Sequence, residues 1–355
     1  MKVCILGNGL TGLALAKALV NQGIYVDLFI NKKINNKDKS RTLGISKDNV
    51  KFFNQNILDI KKLLWNINKI EIYSENLRDE KLLNFEDYKE SLFSIVKNHE
   101  LYNYLFLELK KNELIKIKKY TSYKNILQKY KLIINCDSNN QITKKFFYKN
   151  LNKNYNSLAY ATIMKHRSLK NYTASQIFTK NGPLAFLPIS KKETSIVYSF
   201  SGKKNINLEN YIKKHNTKYK DIKINKVSFF ELKSFNLRSY YYENILAFGD
   251  MLHKLHPLAG QGFNMSIRDI KVIVKLIKNK INLGLDLDKS ICLEFENETR
   301  HRNYLFSSGI DFMFEFFNLE RKFKNKILSR SVQYLGNKKY LNNLFIKFAD
   351  NGIVI

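Results

Sequence analysis

The apolar residues of this chain fall into two rhythms that change along its length. Val3-Cys4-Ile5-Leu6 is a continuous apolar run stopped by Gly7, too short for a helix, and reads as a strand buried on both faces. Leu13 to Gln22 then repeats its apolar positions at helical spacing. Gly23 ends that helix, and Ile24 to Ile30 is apolar again. Strand, helix and strand in this order predict a parallel βαβ unit. Lys47 to Leu64 reads as a helix, Ile70 to Tyr73 and Leu92 to Ile95 as strands. Asn98 to Lys110 is a helix with Leu101, Leu105 and Leu109 on one face, and Leu132 to Asp137 is a short buried strand.

From Ser157 the pattern becomes strand after strand: Leu158 to Met164, Ala174 to Phe178, Ala185 to Pro188 and Thr194 to Phe200. Turn signals such as Lys180-Asn181-Gly182-Pro183 separate them, which argues for an antiparallel sheet. The first rhythm returns with a strand over Asn244 to Asp250 and a helix from Met265 to Lys280. The remainder, Asp288 to Asn351, is mostly helical and rich in Phe and Leu. The expected fold is α/β. A discontinuous Rossmann-like lobe (1–64, 97–150 and 238–300) encloses an antiparallel β-sheet substrate lobe (65–96 and 151–237), with C-terminal helices over 301–355.

Composition narrows the function classes. With 355 residues and 44% hydrophobic content the chain can bury a large core and is not a disordered chain. Its net charge is +30, yet the lysines scatter instead of forming a stripe and outnumber arginine, the better reader of phosphate and guanine. Nucleic acid is therefore not an expected partner, and a weak peripheral attraction to an anionic membrane surface stays open. The 3 cysteines lack CxxC spacing, which suits a reducing, cytoplasmic compartment. The apolar opening is broken by glycines and Lys17 and leads into a second strand, so it reads as βαβ and not as a signal peptide.

Two glycine-rich turns carry candidate chemistry. Gly7-x-Gly9-x-x-Gly12 follows a strand and opens a helix, where backbone amides and the helix dipole can hold a pyrophosphate. Far away, Gly249-Asp250 closes a strand, and Pro257-Leu-Ala-Gly260-Gln261-Gly262-Phe263-Asn264 opens another helix. Two such cradles suggest a bound dinucleotide. The acid that usually ends the second strand and binds ribose is replaced by Ile30 and Asn31; Asn31 can still bond a hydroxyl. Asp27, three positions early, reads as solvent-facing. His253-x-x-His256 has metal-like spacing, but Pro257 breaks the helix and no Cys or carboxylate cluster joins it, so no metal is expected. The aromatics Phe312, Phe314, Phe316 and Phe317 read as core.

The block from Gly249 to Asn264, followed by Arg268-Asp269, resembles the ubiquinone-biosynthesis hydroxylases among the FAD-dependent aromatic-ring monooxygenases. Ser40 to Ser46, Val96 to Leu101, Gly182 to Pro188 and Phe345 to Gly352 are also similar to that family. The resemblance implies that FAD lies against Gly7, Gly9, Leu10, Thr11 and Gly12. Arg41 would cover the pyrophosphate, Asn98 would offer a polar contact, and Asp250 would accept from the ribityl hydroxyls. Pro257, Gly260, Gln261, Gly262, Phe263 and Asn264 would line the isoalloxazine, on which the following helix dipole stabilises negative charge. The implied reaction is ring hydroxylation of a polyprenylated phenol with O2, electrons coming from NAD(P)H or a protein donor, with other ubiquinone-biosynthesis proteins as partners. Leu184 to Pro188 would form the substrate wall. No side chain stands out as acid or base; His256 is the nearest candidate. The family's Asp-Gly-x-x-Ser segment is Asp137-Ser138-Asn139-Asn140-Gln141 here, and its Ala-Ala is Met251-Leu252. Two other readings stand beside this one: a lipid-acting FAD oxidoreductase that inserts no oxygen, and, from the departures at Ile30 and Ser138, a flavin-free scaffold of a quinone-biosynthesis complex.

Overall fold

The computed structural model describes residues 1–30, 39–77, 80–87, 90–120, 123–202, 206–255, 260–323 and 327–336. One layer is a six-stranded sheet in the order Tyr241–Tyr242, Ile245–Ala247, Ile133–Asn135, Lys2–Leu6, Tyr25–Ile30, Ile115–Lys119. Only the outermost Tyr241–Tyr242 runs antiparallel to its neighbour. Parallel strands need both faces covered, which is why Val3 to Leu6, Ile133 and Ile134 are apolar without alternation and fully buried. Helix Leu10–Val20 and helix Gln261–Asn282 bury their apolar faces in the same core. The expected discontinuous α/β lobe is thus what the chain forms.

The second layer is a nine-stranded sheet, largely antiparallel, built mainly from Asn150–Lys165, Thr173–Thr179, Gly182–Pro188, Glu193–Ser201 and Ser228–Leu237, with Lys69–Ser74 and Lys81–Glu86 at one side. Leu184, Phe186, Ile196 and Tyr198 point to one face and pack beneath helix Leu208–His215 through Leu208 and Ile212. The opposite face turns to the first lobe: Thr42 donates to Ser195 at 2.8 Å, and Ala159 and Leu232 pack on Phe314 of helix Lys289–Phe323. A third, three-stranded sheet of Thr42–Ser46, Phe93–Lys97 and Trp65–Ile67 straddles the boundaries expected at 64/65 and 96/97. Its Ile67 and Ile95 pack on Ile163 and Ala174 of the nine-stranded sheet, while its Ile45 and Val96 lie in the core of the six-stranded sheet's lobe.

Three local expectations change. The helix from Lys47 ends at Asn56 and is followed by an irregular segment and a short 3-10 turn, Lys61–Leu63. Asp27 does not face solvent: it is 1% exposed and accepts from Lys118 at 2.7 Å and Tyr130 at 2.5 Å. Burial opposes its charge, but those donors prevail and hold its carboxyl below the usual range. Of the helical phenylalanines, Phe314 is buried and Phe316 packs against the Leu83 cluster, whereas Phe312 is 66% exposed; the Phe317 side chain lies outside the described set.

Candidate functional site

The three glycines of the opening turn do different work. Gly7 has φ +99°, and a Cβ there would come within 3.0 Å of Asp137. A Cβ on Gly12 would lie 2.4 Å from the Gly7 carbonyl oxygen, so neither position admits a side chain. Gly9 is different. Its backbone is extended at φ −64°, ψ 169°, and an added Cβ would meet nothing within 4 Å. Packing therefore demands the first and third glycines, while the second faces open space at the start of helix Leu10–Val20, whose N-terminus has no side-chain cap. Unbonded amides there are a ready anion site.

The second turn meets the first. Gly249, at φ +68°, sits so close to helix Leu10–Val20 that a Cβ would lie 2.7 Å from Thr11 Cγ2. Gly260, at φ +62°, caps helix Gln261–Asn282 without a side-chain bond, and its missing Cβ would be 3.6 Å from the Gly44 amide nitrogen. Gly262, like Gly9, has nothing within 4 Å of an added Cβ. The Gly249 turn thus lies against both helix Leu10–Val20 and helix Gln261–Asn282, and each helix starts without a side-chain cap and carries a glycine, Gly9 or Gly262, that opens on free space.

Other expected residues are distributed unevenly around this region. Arg41 is exposed, its guanidinium 5.4 Å above the Phe230 ring, and its carbonyl accepts from the Asn98 amide at 3.1 Å. Asp250 is exposed beside Cys136, whose thiol is pushed up by burial first and then by Asp250 and Asp137. Leu10 and Thr11 are half-buried. Gln261 accepts from Arg268 at 3.0 Å, and Phe263 packs in the core against Phe53. The Asn264 side chain, 2% exposed, is held within the protein: it accepts from Ser46 N (2.9 Å) and Asn49 Nδ2 (3.0 Å) and donates to Gly44 O (2.9 Å). Only backbone from Phe263 and Asn264 is left for a ligand. Asn31, His256 and Pro257 lie outside the described residues.

Three polar clusters hold these turns, and the motifs show only part of each. Asn49 completes the Asn264 network. Asn135 receives the Asp137 amide and Asn140 Nδ2 and donates to Thr143, stiffening the turn that abuts Gly7. Asn140 also caps helix Gln141–Phe146 by accepting from the Thr143 amide, a signal readable as Asn-x-x-Thr. His253, 2% exposed, bonds Asp269 at 2.8 Å, and Asn303 bonds the other oxygen of that carboxylate at 3.0 Å. His253 therefore ties the Gly249 turn to helix Gln261–Asn282 as a structural residue. Among the described residues no His, Cys, Asp and Glu group could hold a metal ion.

The fold defined here is that of the FAD-dependent monooxygenases. Over 99% of its length the chain superposes with TM-score 0.77 on p-nitrophenol 4-monooxygenase from Pseudomonas putida (98% of that chain, 13% identity). It superposes with TM-score 0.75 on Klebsiella pneumoniae HpxO, solved with FAD and uric acid (99% of that chain, 12% identity). Residues 205–282 match the family described as FAD binding domain.

In sequence the chain is similar to the ubiquinone biosynthesis monooxygenase COQ6 of Dictyostelium discoideum, at 24% identity over 61% of this chain and 55% of that one. It is also similar to 3-demethoxyubiquinol 3-hydroxylase of Escherichia coli, at 26% identity over 40% of this chain and 39% of that one. The aligned part thus spans a little over half the length of these COQ6 relatives and less than half of the hydroxylase. The resemblance read from the motifs is borne out by these relatives.

Proposed function

We propose that this chain binds FAD and hydroxylates the aromatic ring of a polyprenylated phenol on the route to ubiquinone, using O2 and electrons from NAD(P)H or a protein donor. One observation carries the reading: the glycines at the starts of two helices that both pack on the Gly249 turn, Gly9 and Gly262, open on space that a Cβ would fill. That fits an elongated anionic cofactor whose pyrophosphate and ring each rest on a helix start. FAD, when bound, supplies the two-electron reduction of O2 that no side chain here can perform.

The protein's part is positional. Gly7, Gly9, Leu10, Thr11 and Gly12 would seat the pyrophosphate, with exposed Arg41 to cover it, Asn98 beside it and Asn31 at the ribose. Asp250 is free to accept from ribityl hydroxyls. Pro257, Gly260, Gln261 and Gly262 would present backbone to the ring, together with the backbone of Phe263 and Asn264. The buried side chains of Asn264, Asn49 and His253 would keep that backbone in place. The expected substrate wall needs refinement within this reading, because Leu184 and Phe186 point away beneath helix Leu208–His215. Ala185 and Leu187 alternate onto the face toward the cofactor lobe. Other ubiquinone-biosynthesis proteins are proposed partners, and contact with a membrane surface would be peripheral. No helix among the described residues is long and apolar enough to cross a membrane.

The test is cofactor uptake. The folded chain mixed with excess FAD and desalted should retain one yellow cofactor per polypeptide. A cooperatively folded protein that stays colourless after that treatment would sink the proposal and favour a scaffold role.

A further inference from the structure

The strand register places one line of side chains across the middle of the nine-stranded sheet, on the face toward the cofactor lobe. Directly paired residues run Ile72, Gln176, Ala185, Val197, Ala161, Ser228. The flanking lines are covered. On one side Ile163 and Ala174 pack against Ile67 and Ile95 of the three-stranded sheet. On the other, Phe178 packs with Met313 and Phe316 of the long C-terminal helix. Between those covers Gln176, Ala185 and Val197 stay partly exposed although they sit on central strands. Small side chains in a line between two walls make a trough.

Gln176 breaks the pattern. Ala185, Val197 and Ala161 offer no hydrogen bond, whereas the Gln176 carboxamide has two donors and an acceptor and no partner among the described residues. It lies two strands from Val197, about 10 Å at ordinary strand spacing. Beyond it, Ile72 leads to Leu83 and the apolar cluster under the C-terminal helices. An amide between a shallow small-residue floor and a greasy exit suits a flat ring whose oxygen lies next to its alkyl chain.

We propose that Gln176 is a specificity-determining residue. It would bond the ring hydroxyl adjacent to the prenyl chain, with the ring over Ala185 and Val197 and the chain leaving past Ile72. This rests on the proposed substrate class and extends it to a named contact.

Calorimetric binding of ortho-geranylphenol and of geranylbenzene, which lacks the hydroxyl, tests the assignment on the full chain, with and without FAD. The wild type should prefer the phenol about tenfold, the worth of one net hydrogen bond. Gln176→Leu and the length-matched Gln176→Met should bring that ratio close to one while leaving geranylbenzene affinity unchanged, which also shows the trough intact. A ratio that survives in both variants, or a wild type with no preference, overturns the assignment. Because the ratio is read with and without FAD, failure to retain the flavin would sink the monooxygenase reading separately from this contact.

Discussion

Replacing Gly9 with Ala separates a turn shaped for folding from one shaped for a ligand. The backbone at Gly9 is extended and open to any L-residue, and the added methyl meets nothing within 4 Å. Folding should barely respond. Reduced unfolded-chain entropy contributes about 0.4–1 kcal/mol, offset by the poorer helix-capping of alanine, about 1 kcal/mol. FAD should respond strongly, because the methyl stands where a phosphate must approach the amides. Loss of one charge-assisted bond costs about 1.5–3 kcal/mol, roughly a 10- to 150-fold weaker Kd. Gly12→Ala should behave the opposite way first: its Cβ falls 2.4 Å from the Gly7 carbonyl, so stability itself drops by about 1–3 kcal/mol or more. Thermal melts and flavin-fluorescence titration of both variants decide the matter. If Gly9→Ala binds FAD like the wild type, the space before Gly9 is not the pyrophosphate site and the reasoning fails.

Gly249→Ala should lose about 2–4 kcal/mol from positive φ and overlap with Thr11, and Thr11→Ser, which removes the offending Cγ2, should restore part of it in a double-mutant cycle. His253→Leu strips a partner from buried Asp269 and should cost about 2–3 kcal/mol by urea denaturation, with Asn303→Ala giving a non-additive loss on the same carboxylate. Asp27 has a folded pKa below its unfolded value near 3.9, so its contribution is present above that value and lost as pH falls through the folded pKa. Denaturation between about pH 5 and pH 2 should show Asp27→Asn less stable at the upper end and with a flatter acid slope than the wild type; parallel curves would refute the pairing.

The elements legible in the sequence are those whose apolar period is unbroken. The opening βαβ, helix Asn98–Lys110 and the four central strands lie where their patterns put them. What escaped was structure made by partners. Strand Asn150–Lys165 begins at mostly polar residues, Asn150 to Asn154, that extend only because Ser228–Leu237 pairs with them, and that second strand carries charges on its exposed face. Ile115–Lys119 alternates Ile and Lys as an edge strand does. Motif reading located the glycines, and the structure sorts them: Gly7, Gly12 and Gly249 answer to neighbouring atoms, Gly9 and Gly262 to space. The buried asparagines Asn49 and Asn264 act through contacts with residues as far as 220 positions away, which no local pattern displays.

The most direct measurement is hydroxylation of ortho-geranylphenol by the FAD-loaded chain under isotopically heavy O2, with a chemical reductant in place of the physiological donor. The account predicts a ring-hydroxylated product carrying one heavy oxygen atom, and roughly 10- to 150-fold less of it from the Gly9→Ala protein at FAD well below its Kd. Product labelled from water, or a phenol recovered unchanged while the flavin turns over, would contradict it.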